Sequence, residues 1–165
     1  MIDIDKLALS LGMELKNRGF LLTTAESCTG GGIGYWITSI PGSSAWYDRG
    51  FITYSNAAKM SMLNVSENTL QQFGSVSEQT AREMAEGALR NSDATLSIAV
   101  TGIAGPDGGS RLKPVGTVWI AFAAKTQETK AFMQIFSGNR QMIREQTIIA
   151  ALNKGIYFLK PFKTS

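Results

Sequence analysis

A run of small and polar residues near the start of the chain carries two side chains that could act as nucleophiles. Ser27 and Cys28 lie within the segment from Thr24 to Gly32, which follows a short apolar strand pattern and leads into an apolar helical pattern. A turn between a strand and a helix directs free backbone N–H groups toward one point, so it suits a phosphate, an oxyanion or an activated side chain. The chain has no histidine. A nucleophile here must therefore be activated by a lysine, a carboxylate or a metal.

Two interpretations of this turn are open. In one, Ser27 is only a helix N-cap and Cys28 is a small buried apolar residue. In the other, one of the two side chains is a nucleophile, because two adjacent residues seldom both point at a substrate. We favour Ser27, since a serine that begins a helix gains oxyanion donors from the N–H groups that follow it.

A second segment, from Tyr54 to Lys59, offers a base. Tyr54 closes a predicted strand and Lys59 falls in the first turns of the next helix, so both are expected at the carboxyl edge of the sheet, where open α/β folds place ligands. Burial and the positive end of that helix both disfavour the ammonium form of Lys59 and so lower its pKa. An ordinary solvated lysine is the alternative. Taken together, Ser27, Lys59 and Tyr54 are compatible with a Ser/Lys hydrolase assisted by a phenol.

Other segments could hold a ligand. The glycine-rich loop from Thr101 to Ser110 could bring backbone N–H groups close to a phosphate or sugar, or could be a tight connection without a ligand. Arg140 or Arg144, near the start of the last predicted helix, could neutralise a phosphate or a carboxylate. A single arginine at such a place is more often a surface residue, and Ser44 is a turn former by default.

Composition limits the classes of function. The 165 residues are 44% hydrophobic, which suffices for one core and is too short for two ordinary domains, so we predict one domain over residues 1–165. The net charge of +3 comes from scattered lysines and arginines, which argues against a nucleic-acid partner. One cysteine and no histidine argue against a transition-metal site. Carboxylates could still hold a hard cation, but the 13 acidic residues form no ligand-like cluster in the sequence. We expect a cytoplasmic protein without a membrane segment, because neither a signal peptide nor a long apolar stretch is present.

Apolar periodicity predicts the elements that must position these side chains. Helical patterns interleave with short strands, which implies an α/β protein, a three-layer α/β/α sandwich with a mixed, mostly parallel sheet. The predicted strands are 20–23, 50–54, 96–100, 115–124 and 129–136, of which the last two form an antiparallel hairpin. The predicted helices end at Gly19 and near Ser39, begin at caps near Ser55, Ser66 and Ser77, and close the chain around Ile149 to Leu159.

Five motifs follow one another along the chain: ESCTGG at 26–31, GSSAW at 42–46, GFITYSN at 50–56 with Lys59, TGIAGPDGGS at 101–110 and KPVGTVW at 113–119. Their sequence and order resemble those of the CinA C-terminal domain family, and the resemblance covers nearly the whole chain. The larger N-terminal domain of fused members is not in this sequence, so we expect a stand-alone version.

The resemblance implies an enzyme, because active members of the family hydrolyse the carboxamide of nicotinamide mononucleotide to nicotinate mononucleotide and ammonia in pyridine nucleotide recycling. By the same resemblance, Ser27 matches the nucleophile, Lys59 the general base and Tyr54 a residue that assists proton transfer. The family needs no metal or other cofactor and usually forms a homo-oligomer. With the backbone of the two glycine-containing loops, the expected substrate-binding set is Thr29, Gly30, Gly31, Ser44, Thr101, Gly102 and Arg140.

The expected mechanism starts with neutral Lys59 taking the proton of Ser27, while amides at the start of the following helix hold the oxyanion. Lys59 or Tyr54 then protonates the departing ammonia, and water hydrolyses the acyl-enzyme. Two other functions remain open: a non-catalytic domain that binds pyridine nucleotides or regulates through them, and a competence- or damage-inducible accessory protein that acts through partners.

Overall fold

The sheet that carries the candidate residues is mixed. The computed structural model describes residues 2–165, and within them five strands occur: β1 (Leu22–Glu26), β2 (Tyr47–Ile52), β3 (Leu96–Gly102), β4 (Thr117–Ala124) and β5 (Gln127–Ile135). Their order is β2-β1-β3-β4-β5. Strand β1 pairs in parallel with β2 and β3, whereas β4 runs antiparallel to both β3 and β5. Four of these five strands therefore share one direction, and β4 and β5 form the predicted hairpin.

Helices cover both faces of the sheet. Those found in residues 2–165 are α1 (Ile4–Lys16), α2 (Gly32–Thr38), α3 (Asn56–Leu63), α4 (Glu67–Phe73), α5 (Glu78–Arg90) and α6 (Arg140–Leu159), with a 3-10 turn at Ser43–Ala45. Helices α1, α2 and α6 pack together on one face, and α5 packs on the other with α3 and α4 against it. This arrangement confirms the predicted three-layer sandwich.

Side chains that alternate along the strands divide the core into two apolar clusters. In β3, Ile98 and Val100 face α1, α2 and α6, whereas Ala99 faces α5. The α5 side is lined by alanines of three strands, which lets that helix lie close to the sheet. Strand β3 is buried on both faces, as its nearly continuous apolar pattern predicts for a central strand.

The strands end differently from the prediction near the candidate site. Strand β1 continues to Glu26 instead of stopping at Thr23, because the hydroxyls of Thr23 and Thr24 are buried and hydrogen-bonded to groups of β2. Strand β2 ends at Ile52, so Tyr54 lies in the loop before α3. Polar threonines thus belong to the buried strand, which the sequence pattern alone does not indicate.

The longest helix, α6, has 20 residues and carries charged side chains at Arg140, Arg144, Glu145 and Lys154. None of the helices in residues 2–165 combines the length and the apolar character needed to cross a bilayer. Within the same residues, no group of three histidine, cysteine, aspartate or glutamate side chains is placed to hold a metal ion.

Candidate active site

A cavity of about 290 Å³ lies where the three parallel strands β1, β2 and β3 end. Residues Glu26, Ile52 and Val100 are paired across these strands, so the loops that follow them meet at one edge, the position where open α/β sheets bind ligands. The cavity is lined by Ser27, Cys28, Tyr54, Lys59, Ser75, Val76, Thr101, Gly102, Ala104 and Arg140. The structure therefore brings together six of the predicted site residues, which are Ser27, Tyr54, Lys59, Thr101, Gly102 and Arg140.

Lys59 contacts Ser27 inside this cavity. Its Nζ lies 3.0 Å from Oγ of Ser27, 2.9 Å from the carbonyl oxygen of Thr53 and 3.1 Å from that of Tyr54. An ammonium group can donate to all three oxygens. In the neutral amine, the two N–H groups can remain on the two carbonyls, and the lone pair then faces the hydroxyl of Ser27. The geometry thus allows Lys59 to accept the serine proton.

The environment of Lys59 favours this neutral form. The residue is only 1% exposed, and burial lowers its pKa below the 10.5 that is usual for lysine, with a smaller opposing effect from the thiol of Cys28. None of the ion pairs found in residues 2–165 includes Lys59. A lysine that is buried without a carboxylate can serve as a general base below the usual pKa of lysine.

Cys28, the other candidate nucleophile, is poorly suited to that role. Burial raises the pKa of its thiol to about 12, whereas the reactive form of cysteine is the thiolate. The thiol packs in the apolar cluster formed with α1, α2 and α6. Between the two adjacent candidates, the structure therefore favours Ser27.

The turn that carries Ser27 differs from the predicted one. Helix α2 begins after an N-cap at Gly31, so Ser27 is not the N-cap. The carboxylate of Glu26 accepts hydrogen bonds from the N–H groups of Ile33 at 2.8 Å and Gly34 at 3.0 Å. The prediction that amides at the helix start hold an oxyanion is therefore wrong, because a carboxylate of the protein already occupies the positive end of the helix.

The other backbone groups of the turn are only partly hydrogen-bonded. The N–H of Gly30 donates to the carbonyl oxygen of Ser27, and Arg144 donates from Nε to the carbonyl oxygen of Cys28 at 3.1 Å and from Nη2 to that of Thr29 at 3.2 Å. Among the hydrogen bonds found in residues 2–165, no acceptor is present for the N–H groups of Cys28 and Thr29. Of these two residues, Cys28 lines the cavity, whereas Thr29 is fully buried outside it.

The structure does not place Thr29, Gly30, Gly31 and Ser44 along the cavity. The hydroxyl of Thr29 donates to Oε1 of Glu26 at 2.5 Å, so this side chain points into the protein interior. Gly31 borders a separate, shallow hollow beside β2. Ser44 lies in the 3-10 turn before β2, at the amino end of the strands, so the prediction that it lines this pocket is wrong within one chain. The motif that contains Ser44 did not show that this residue lies at the amino end of β2.

Arg140 contacts two walls of the cavity. Its Nη1 donates to the carbonyl oxygen of Gly105 at 2.8 Å, and its Nη2 donates to the phenol oxygen of Tyr54 at 3.2 Å. Tyr54 is 65% exposed, so this contact is what holds its ring beside the cavity. The guanidinium of Arg140 also provides positive charge where an anionic group of a ligand could bind.

Two residues that were not predicted from the sequence, Ser75 and Val76, line the cavity from the loop between α4 and α5. The hydroxyl of Thr101 donates to the carbonyl oxygen of Ser75 at 2.7 Å and so joins this loop to the end of β3. Their neighbours Gly74 and Ser77 have the residue types of a helix end and a helix N-cap. The local sequence therefore indicates an ordinary connection, and only the tertiary structure shows that it reaches the site.

Known proteins resemble this chain in sequence and in fold. The model of the family described as "CinA C-terminal domain" matches residues 4–157. The nicotinamide-nucleotide amidohydrolase PncC of Enterobacter agglomerans is 52% identical over 153 residues, which are 93% of this chain and 93% of that protein. The protein of the same name from Escherichia coli strain K12 is 52% identical over 154 residues, covering 92% and 93%. The crystal structure of competence/damage inducible protein CihA from Agrobacterium tumefaciens superposes with a TM-score of 0.91 at 46% identity, covering 97% of both chains. This chain belongs to the CinA C-terminal domain family.

Proposed function

We propose that this chain is an amidohydrolase that cleaves the carboxamide of nicotinamide mononucleotide to give nicotinate mononucleotide and ammonia. The observation that carries the proposal is the buried contact of 3.0 Å between Nζ of Lys59 and Oγ of Ser27 at the wall of the cavity. The substrate follows from the relatives, which are 52% identical and are named nicotinamide-nucleotide amidohydrolases.

The first chemical step is attack of Oγ of Ser27 on the carboxamide carbon. Neutral Lys59 takes the hydroxyl proton as the new C–O bond forms, which makes the serine oxygen a stronger nucleophile in the transition state. The carbonyl oxygens of Thr53 and Tyr54 hold the amine through its N–H groups. They also stabilise the ammonium ion that forms, because they remain hydrogen-bonded to it.

Negative charge develops on the carboxamide oxygen in this step. The free N–H group of Cys28, which lines the cavity, is its donor in this proposal, which corresponds to the arrangement in nucleophile elbows, where the residue after the serine supplies an amide. The backbone N–H of Ser27 itself donates to the carbonyl oxygen of Val100 in β3. This hydrogen bond ties the nucleophile to the central strand and limits its movement during the reaction.

Collapse of the tetrahedral intermediate breaks the C–N bond. The ammonium form of Lys59 returns the proton to the leaving nitrogen, which departs as ammonia, and the phenol of Tyr54 assists this transfer. Lys59 is then neutral again and takes a proton from water, whose oxygen attacks the carbonyl carbon of the ester formed with Ser27. The ammonium form of Lys59 returns this proton to Oγ of Ser27 as the C–O bond breaks, which releases nicotinate mononucleotide and restores the serine hydroxyl. Arg140 binds the phosphate of the nucleotide, and Thr101 and Gly102 form the wall beside the substrate.

The decisive experiment measures ammonia release from nicotinamide mononucleotide by the purified protein in the presence of a metal chelator. We expect one ammonia and one nicotinate mononucleotide per substrate consumed. Nicotinamide riboside, which lacks the phosphate, is the matched control and should react with a higher KM. A folded protein that binds the nucleotide but releases no ammonia would instead be the non-catalytic binding domain.

The pH profile should show the titration of Lys59. The neutral amine is the active form, so kcat/KM is expected to fall as the pH decreases through the pKa of Lys59 and to reach a plateau below 10.5, because burial lowers that pKa. The same shift means that the unfolded chain binds more protons between the two pKa values, so the free energy of unfolding should rise with pH in that window. A kcat/KM that is constant on the acid side would contradict the role of Lys59 as base.

We further propose that residues 1–165 act as one domain in a cytoplasmic homo-oligomer that recycles pyridine nucleotides and has no nucleic-acid partner. Phe132, Met133 and Ile135 on the edge strand β5 are 40%, 52% and 55% exposed, and apolar side chains exposed on an edge strand are suited to contact between copies of a chain. The charge of +3 is spread over the sequence, whereas nucleic-acid binding uses concentrated positive charge.

A further inference from the structure

Thr101 lies beside Ser27, near the end of the central strand. Glu26 of β1 is paired with Val100 of β3, and the N–H of Ser27 donates to the carbonyl oxygen of Val100 at 3.1 Å. The residues that follow this pair, Ser27 and Thr101, therefore occupy the next position of the same parallel register. Because adjacent strands lie about 4.8 Å apart, Thr101 is the neighbour of Ser27 across the sheet.

The side chains of these two residues point to the same face of the sheet. Ala25 and Ala99 belong to the cluster that packs against α5, and Ser27 and Thr101 follow them by two residues, which returns to the same face. Their contacts agree, because Ser27 accepts from Lys59 of α3 and the hydroxyl of Thr101 reaches the loop before α5. Both residues line the cavity.

The hydroxyl of Thr101 can only accept a hydrogen bond from a ligand. Oγ1 of Thr101 donates its single proton to the carbonyl oxygen of Ser75 at 2.7 Å, and the direction of this bond is fixed because a carbonyl oxygen has no proton to give. Among the hydrogen bonds found in residues 2–165, none is donated to Oγ1 of Thr101. The lone pairs of this oxygen are therefore available beside Ser27.

A carboxamide has one group of each kind to offer. Its oxygen accepts hydrogen bonds and its NH2 group donates them, whereas a carboxylate only accepts. In the proposed mechanism the N–H of Cys28 is the donor for the carboxamide oxygen. The NH2 group, on the other side of the carbon that Ser27 attacks, needs an acceptor.

We propose that Oγ1 of Thr101 accepts an N–H of the substrate carboxamide and thereby makes the site select the amide over the carboxylate product. This inference rests on the proposed function. The product carboxylate would face the lone pairs of Thr101, or would require Thr101 to turn its proton away and leave the carbonyl of Ser75 without that partner. Either arrangement weakens the binding of the product.

The alternative is that Thr101 only holds the loop at Ser75 in place. The two roles differ in how the loss of the hydroxyl affects three ligands that share the ribose phosphate: nicotinamide mononucleotide, nicotinate mononucleotide and 3-acetylpyridine mononucleotide. The last of these is neutral and keeps the C=O group, but a methyl group replaces the NH2. A loop contact affects all three ligands equally, whereas an acceptor for the amide affects only the ligand that has an N–H.

The experiment measures equilibrium dissociation constants by calorimetry in the Ser27→Ala background, where neither turnover nor addition to the ketone occurs. We expect this parent to bind nicotinamide mononucleotide about tenfold more tightly than the acetyl analogue, the usual effect of one hydrogen bond. Adding Thr101→Val, which keeps the shape of the side chain, should bring this ratio close to one and should narrow the gap to nicotinate mononucleotide. Adding Thr101→Ser, which keeps the hydroxyl, should preserve the ratio.

The matched control is Thr147→Val in the same background. The hydroxyl of Thr147 is also buried and also donates to a backbone carbonyl at 2.7 Å, that of Ile143, but it lies in α6 away from the cavity. This variant should leave all three dissociation constants unchanged. Thermal unfolding must show that each variant is folded, and Thr101→Ala replaces Thr101→Val if the latter is not.

The outcomes separate this inference from the function on which it rests. Equal affinities of the parent for the amide and the acetyl analogue would overturn the role of Thr101, even with an active wild type. Equal weakening of all three ligands by Thr101→Val would also overturn it and would leave Thr101 as a support of the loop. A wild type that releases no ammonia would overturn the proposed function instead, whereas the ratio of dissociation constants would still report the contact between Thr101 and the amide.

Discussion

Replacing Ser27 by alanine is expected to lower kcat for ammonia release by at least about 10⁴-fold, since loss of a serine nucleophile in a hydrolase removes most of the rate enhancement. The substitution deletes only Oγ, which makes the 3.0 Å contact with Nζ of Lys59. Nucleotide affinity should persist, because Arg140, Thr101 and the loop at Ser75 remain. The measurements are single-turnover product formation and equilibrium binding of nicotinamide mononucleotide to the same protein preparation.

Two variants serve as comparisons for Ser27→Ala. Ser39→Ala removes a hydroxyl that donates to Trp36 on α2, outside the cavity, and should match the wild type. Cys28→Ala should retain most of the turnover, because the thiol, with its pKa raised to about 12, is neutral at pH 7. Retained turnover in Ser27→Ala together with its loss in a folded Cys28→Ala protein would identify the cysteine as the nucleophile.

The meeting of Ser27 and Lys59 could be predicted because it follows from topology. Each residue comes after a strand of the parallel part of the sheet, and the carboxyl ends of parallel strands share an edge. The apolar run around Ile98 correctly marked β3 as the central strand of the sheet, next to β1. Periodicity thus placed the candidate catalytic side chains at one edge of the sheet without information about contacts.

The local geometry of the turn that carries Ser27 could not be predicted in this way. In the sequence, Glu26 lies in the polar turn after the predicted strand, yet its carboxylate accepts the N–H groups of Ile33 and Gly34 that were expected to hold the oxyanion. Arg144 is distant in sequence from the turn that it contacts. Both effects depend on hydrogen bonds between single side chains and the backbone, which leave no period or spacing in the sequence.

The position of Ser44 shows a second limit. Its motif precedes β2, and a residue before a strand lies at the opposite sheet edge from a residue after it. The order of motifs along the chain therefore did not decide which of them reach the cavity. Ser75, which does reach it, lies between two helices and has no motif of its own.

Substitution of Lys59 by arginine should reduce kcat by about 10³-fold to 10⁴-fold, near the upper range for loss of a general base. The guanidinium remains protonated at any pH at which the protein is folded, so it cannot accept the proton of Ser27. Lys59→Met, which keeps the length of the side chain without its amine, should lose as much activity. The matched control is Lys125→Arg in the exposed loop between β4 and β5, which should leave kcat unchanged.

The Lys59 variants also test which property of the lysine matters. The site holds a side chain that is 1% exposed, so the larger arginine could disturb packing, and thermal unfolding must show that Lys59→Arg and Lys59→Met are folded. In Lys59→Ala, small primary amines should restore part of the formation of nicotinate mononucleotide, and the rescued rate should follow the concentration of the neutral amine, because only that form has a lone pair for the serine proton. Full activity in folded Lys59→Arg, or rescue that follows the protonated amine instead, would show that Lys59 supplies positive charge and that another group activates Ser27.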